Sequence, residues 1–233
     1  MVILTPIIAE AGTFLIAGLV LYAAVKLYGR KTGFAIILAS VLWTTPIETL
    51  GVSSGDYTYL GYYHLLAPNY PGYLLWVGLV PLWIGLGWFI VSLSSFMIFH
   101  EVLCPKKRAL VCALFAGLLA VNVDLMIDPV ASSNHLWIWI QPGLNLFGVP
   151  LYNFAGWFLM ILFFDLIIYH TITGVRPIKP LAFLENKLFS FKDKLVSAIT
   201  VEKRLQLFAL RIVLFEIFVI VSLKTLAALL GVV

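Results

Sequence analysis

The stretch Ala109-Leu-Val-Cys-Ala-Leu-Phe-Ala-Gly-Leu-Leu-Ala-Val-Asn-Val-Asp124-Leu-Met-Ile-Asp128-Pro129 decides the class of this protein. Its first part is an unbroken apolar run, and its end sets two carboxyl side chains four residues apart in the same run. About 20 apolar residues are what a helix needs to cross the hydrocarbon of a bilayer. Only a helix satisfies its own backbone there without neighbours. We place this span at 109–127 and further runs of the same kind at 4–28, 34–50, 73–99, 150–173 and 205–230. The first lacks a basic residue before its apolar core and is too long for a signal peptide, so it reads as a permanent span. Composition agrees: of 233 residues, 62% are hydrophobic and 11% charged, with a mean hydropathy of +1.05. Soluble domains run at about 45–50% apolar and ~25% charged. An ordinary soluble enzyme, a disordered chain and a nucleic-acid binder are thereby excluded. The expected fold is an all-α integral membrane protein of six transmembrane helices in one polytopic domain, 1–233. The Trp-rich stretch 136–149, broken by Pro142 and Gly143, reads as interfacial or re-entrant, with a seventh span as the alternative. No internal repeat stands out.

Orientation follows from the basic residues. Lys26, Arg30 and Lys31 flank the first connection, Lys106, Lys107 and Arg108 the third, and Arg176 to Arg211 the fifth. The second and fourth connections, 51–72 and 129–149, carry no Lys or Arg; Lys224 alone departs from the pattern. The positive-inside rule makes the basic side cytoplasmic, giving a multi-pass protein of the cell membrane with both termini outside. Residues 184–204 mix Leu, Phe and Val with Lys at helical spacing, which suits a cytoplasmic amphipathic helix on anionic lipid. With Cys104 at the reducing face and Cys112 within the membrane, no disulfide is expected.

Ionisable groups inside spans are expensive and signal function by default. Glu10, Glu48, Asp124, Asp128, Asp165 and Glu216 qualify. Glu10 and Glu216 read as buried partners of lysine or backbone groups. Asp165, one turn from Tyr169 and near His170, reads as structural. Asp128 before Pro129 also fits a helix end. Glu48, Asp124 and Asp128 lie near the outer ends of their spans, level with Asn153 and Trp157, beneath loops rich in aromatic residues. That describes an outer pocket. Asp124 and Asp128 share a helix face and could hold Mg²⁺ and a diphosphate, but no second Asp-rich motif or phosphate-binding basic residue accompanies them. His64, His100, His135 and His170 show no paired spacing. Neither metal nor cofactor is expected. What remains is carboxyl chemistry: a carboxyl in an apolar site stays protonated near neutral pH and serves as a general acid. A second carboxylate orients water, and aromatic faces stabilise a developing cation. Such a set suits protonation of an isoprenoid double bond.

Several motifs complete the reading. Pro46-Ile-Glu48-Thr-Leu-Gly51 precedes Gly55-Asp56-Tyr57-Thr58-Tyr59. Then come Val80-Pro81-Leu82-Trp83, Gly87-Trp88, Asp124-Leu-Met-Ile-Asp128-Pro129, Trp137-Ile-Trp139 and Gly148-Val-Pro150-Leu-Tyr152-Asn153-Phe-Ala-Gly156-Trp157. In order and spacing this set resembles the CruF-type carotenoid biosynthesis membrane proteins, the family of the bisanhydrobacterioruberin and γ-carotene hydratases. The resemblance covers about residues 44–157. It implies hydration of the terminal double bond of an acyclic carotenoid end to a tertiary alcohol. The catalytic candidates are Glu48, Asp124 and Asp128. Glu48 or Asp124 would be the acid, and Asp128 or Asn153 would hold water. The substrate- or water-binding candidates are Asp56, Tyr57, Tyr59, Trp83, Trp137, Asn153 and Trp157. The implied partners are a lipophilic carotenoid, membrane lipid and other enzymes of the same pathway. A carotenoid cyclase, an intramembrane prenyltransferase and a small proton-coupled transporter stay open as alternatives.

Overall fold

The computed structural model describes residues 6–59, 73–103, 109–140, 143–173 and 211. Among them are helices α1 (Pro6–Tyr28), α2 (Arg30–Ser53), α3 (Leu82–Phe96), α4 (Ala109–Ser133) and α5 (Leu151–Thr173). All five are long and apolar enough to cross a membrane, α3 with the help of the π-helical segment Met97–Leu103 that continues it. The expected span at 205–230 and the amphipathic segment 184–204 lie outside the described residues.

The fold is mostly helical but departs from an all-α plan. Short strands β1 (Tyr57–Tyr59), β2 (Trp76–Val77), β3 (Val80–Pro81), β4 (Trp137–Trp139), β5 (Asn145–Leu146) and β6 (Val149–Pro150) form three two-stranded ribbons. Three expected boundaries change with them. The run 73–99 is not one helix: its first part is the β2–β3 hairpin, turned at Gly78 with φ 64°. In the stretch 136–149 the described residues form β4 and the β5–β6 hairpin rather than a seventh helical span. Helix α4 runs through Asp128-Pro129 to Ser133. Pro129 leaves the Leu125 carbonyl without its helical donor, a loss that packed helices in membranes tolerate.

The elements occur twice, in the same order. Helix α2, strand β1, hairpin β2–β3 and helix α3 are answered by α4, β4, β5–β6 and α5. The expectation of no internal repeat is therefore wrong. Both α2 and α4 end in the same 6→1 and 5→2 bonds: Asp56 N–H to Gly51 O and Gly55 N–H to Val52 O in one, Leu136 N–H to Ala131 O and His135 N–H to Ser132 O in the other. The left-handed position is Gly55 in the first and His135 in the second. Leu82 N–H to Leu75 O and Leu151 N–H to Leu144 O close the two hairpins alike. Strands β1 and β4 pair antiparallel with Thr58 opposite Ile138, its own counterpart, which places a local two-fold axis between the halves. The sequence keeps a trace: Val80-Pro81-Leu82 with Gly87-Trp88-Phe89 matches Val149-Pro150-Leu151 with Gly156-Trp157-Phe158.

Helices gain little from apolar burial against one another in lipid, so close packing and hydrogen bonds must join them. Helix α4 presents Ala113, Ala116 and Ala120, each with no exposed surface. Gly117 completes this stripe, where a Cβ would stand 2.9 Å from the Phe158 carbonyl oxygen of α5. Glu10 of α1 accepts from Leu74 N–H and Leu75 N–H at 2.8 and 3.0 Å, the backbone partnership the sequence suggests. Asp165 pairs with His100, at 2.6 Å, across α5 and the π-helical segment. It thus has a structural partner, though one that residue spacing did not reveal. Tyr73 O–H donates to Leu136 O at 2.6 Å, tying the two loop sets together.

The two helix ends make opposite predictions. A Cβ on Gly55 meets no atom within 4 Å, so Gly55→Ala costs only its backbone strain, about 1–2 kcal/mol. His135→Gly, at the matching position, should stabilise by less, because glycine's freedom in the unfolded chain offsets part of the gain. Thermal unfolding of the two variants in detergent tests both signs.

Candidate functional site

The carboxyl ends of α2 and α4, the amino ends of α3 and α5, and the β1–β4 ribbon meet at one end of the bundle. Between them is a partly enclosed pocket with a cavity volume of about 120 Å³. Glu48, Tyr57, Tyr59, Trp83, Trp88, Asp128, Trp137, Trp139, Asn153 and Trp157 line it, with Ile84, Gly87, Val91 and Ile127.

Glu48 stands near the end of α2 and accepts from three side chains on two other elements. Tyr57 O–H and Tyr59 O–H donate to Oε2 at 2.5 and 2.7 Å, and Trp88 Nε1–H donates to Oε1 at 2.8 Å. The tyrosines can do this because alternate residues of β1 and the turn before it swing the strand back over α2. Gly51 gives the room: a Cβ there would stand 2.5 Å from the Tyr57 ring. Burial, and next the charge of Glu48, push both phenols well above their ordinary value of 10. Both therefore remain O–H donors throughout the physiological range.

The second carboxyl group is built differently. Asp124 and Asp128 are one turn apart on α4, 0% and 2% exposed. Asn153 in the first turn of α5 donates its Nδ2–H groups to both, at 2.9 and 2.6 Å. Oδ1 of Asp124 has no hydrogen-bond partner. Among the described residues, unpaired buried polar atoms concentrate around this site, including the indole N–H groups of Trp83, Trp137 and Trp139. Each orphaned group costs about 1–3 kcal/mol, which is the kind of exception that function tolerates. No three His, Cys, Asp or Glu side chains converge as metal ligands among the described residues. Asn153 turns its donor, not its carbonyl, toward the aspartate pair.

Aromatic rings form the walls. Trp88 and Trp157, counterparts in the two halves, lie 4.3 Å apart at 32°. Trp83 stacks on Trp137 at 6.1 Å, and Tyr57 meets Trp139 edge-on at 5.1 Å.

The pocket thus gathers Glu48, Asp128, Tyr57, Tyr59, Trp83, Trp137, Asn153 and Trp157 of the sequence-derived set. Asp124 lies behind Asp128, joined to it through Asn153. Asp56 is not among the lining residues; its backbone closes the end of α2 and accepts from Ile140 N–H, and burial raises its carboxyl above the usual value. Trp88 and Trp139 were not among the candidates. Trp88 had a signal, because it repeats Trp157 within the Val-Pro-Leu…Gly-Trp-Phe pattern.

Asn153→Leu tests the carboxyl pair. It removes the donor from both aspartates at similar volume and should destabilise the fold by about 1–3 kcal/mol. An unchanged Tm in detergent would show that the pair needs no donor.

Residues 10–229 match the sequence model of a family described as carotenoid biosynthesis protein. Over 150 residues, 64% of this chain, the sequence is 29% identical to the bisanhydrobacterioruberin hydratase of Haloarcula japonica. The match covers 48% of that protein, so the chain spans about half the length of this curated relative. No solved structure matches the chain.

Proposed function

The chain belongs to the carotenoid biosynthesis protein family, and from that premise we propose that it is a membrane-embedded carotenoid hydratase. The reading is that water adds across the terminal isopropylidene double bond of an acyclic carotenoid end, giving a tertiary alcohol. One observation carries it: two carboxyl groups from two helices, Glu48 and Asp128, face one pocket walled by aromatic rings. The name of the archaeal relative supports the reaction class.

The hydrogen bonds favour a different division of labour from the one that the sequence suggests. A carboxylate has about four acceptor positions. Glu48 uses three of them for Tyr57, Tyr59 and Trp88, which suits an acceptor and not a proton donor. Asp128 reaches the pocket and shares one amide with Asp124. Two carboxyl groups so placed hold a proton between them more readily than two charges. Asp128 is therefore the acid in this mechanism and Glu48 the base.

The steps balance without an oxidant or reductant. Asp128 gives its proton to the less substituted alkene carbon, the π bond is consumed, and a tertiary cation forms. The ring faces of Trp88, Trp157 and Trp137 and the charge of Glu48 stabilise it. Water donating one hydrogen bond to Glu48 attacks the cation through oxygen. Its proton passes to Glu48 as the C–O bond forms. Return of that proton to Asp128 resets the site. The polyene reaches the pocket through the bilayer, which dissolves it.

Mass spectrometry of pigments tests the proposal. Expression in a bacterial host that makes an acyclic carotenoid should give a gain of ~18 Da per end, and ~20 Da in H₂¹⁸O, the mass of one added water. Asp128→Asn and Glu48→Gln should each lower hydration by about 10²-fold or more, as loss of a general acid or base does. A product of unchanged mass but new retention would indicate cyclisation. No change with several acyclic substrates would sink the carotenoid reading.

A further inference from the structure

The two-fold arrangement makes Glu48 and Asp128 counterparts: each stands at the same place before its helix end, and their strands β1 and β4 pair about Thr58 and Ile138. What surrounds them differs. Tyr57 and Tyr59 in the first half answer to Trp137 and Trp139 in the second, whose indole N–H groups are unpaired. Asn153 answers to Ile84, and Asp124 to Thr44, whose hydroxyl donates to its own helix at Ser40 O. Trp88 and Trp157 are identical counterparts, and their rings lie against each other in the pocket. Yet it is Trp88 that donates to the carboxyl of its own half, at 2.8 Å, whereas Asp128 is held by Asn153. A position whose ring is matched across the axis, but whose N–H carries a bond to one carboxyl, has two separable roles.

We propose that Trp88 is a positioning residue for the water-capturing step: its Nε1–H occupies one acceptor site of Glu48 Oε1 and leaves the other directed at water. The proposal rests on the hydratase reading. With both tyrosines on Oε2, Oε1 has one acceptor position left, and the Trp88 N–H fixes the rotation of the carboxyl group that aims it. Protonation of the alkene by Asp128 does not need this bond, but capture of the cation does.

The two steps can be read apart in D₂O. When Asp128 delivers a deuteron and capture fails, the cation loses the original proton from the same carbon to the Asp128 carboxylate, and the alkene returns carrying deuterium. Membranes holding the full chain are supplied with lycopene, and deuterium in recovered lycopene is measured against hydrated product. Trp88→Phe keeps a ring against Trp157 and removes the N–H. The expected result is a rise of about tenfold in the exchange-to-hydration ratio, the scale of one hydrogen bond to a charged group. Trp88→His, which restores a ring N–H, should recover part of the loss. If exchange and hydration fall together in Trp88→Phe, the residue is merely structural and the proposal is overturned. A second readout does not depend on the reaction: the infrared carboxylate band assigned to Glu48 by difference against Glu48→Gln should shift in Trp88→Phe. An unshifted band overturns the Trp88–Glu48 bond itself. Wild-type membranes that neither hydrate nor exchange, with a band that does shift, place the failure in the hydratase reading and not in the bond.

Discussion

A carboxylate that three donors must reach holds this structure in place. Glu48 draws β1 back over α2 through Tyr57 and Tyr59 and fastens α3 to both through Trp88. In hydrocarbon such a group has no water to fall back on, so either the partners arrive together or the site does not form. Glu10 plays a similar part a short distance away, taking two backbone N–H groups at the start of the β2–β3 hairpin. Loops at this end are therefore held by acids in helices, the reverse of a soluble protein, where loops are solvated and helices supply apolar faces. The exposed apolar residues of α1 and α4, such as Leu15, Leu19, Leu118 and Met126, belong to the outer surfaces that lipid would cover.

Much of this was legible in the sequence because lipid is a simple solvent. Five of the expected spans, found from hydropathy alone, each overlap one of the five described helices. Glu48, Asp128 and Asn153 could be singled out because the bilayer excludes polar groups unless something uses them. The hydrogen-bond allocation was not legible, since Glu48 and Trp88 are forty residues apart and nothing local links an indole to a carboxyl. Strands of two or three residues have no period to detect, so β2, β3, β5 and β6 passed as span ends or as an interfacial stretch. The end of the fourth span reads as 127 because proline follows residue 128, although α4 continues past Pro129 to Ser133.

The internal repeat was hidden for a related reason. Apolar positions facing lipid exchange freely among Leu, Ile, Val and Phe, which erases likeness along the helices. It survives only where geometry is demanding: Val-Pro at the hairpin exit, and Gly-Trp-Phe one turn and a half into the next helix. The polar site has diverged most of all. A symmetric pair of carboxyl groups would have no preferred direction of proton flow. Tyrosine on one side, and an amide shared with a second aspartate on the other, give the proposed site an acceptor end and a donor end within one repeated pattern.

The β1–β4 ribbon also has a consequence for the order of folding. Tyr57 pairs with Trp139 and Tyr59 with Trp137, so this ladder is among the contacts of longest sequence separation in the described structure. Contacts of that kind close late, and during synthesis the first half emerges before its partner exists. Glu48 can find its tyrosines and Trp88 within the first half, so its burial does not wait for the second. The pocket does wait. It comes into being only when α4, β4 and α5 have all arrived, because Asp128, Trp137, Asn153 and Trp157 come from those three elements.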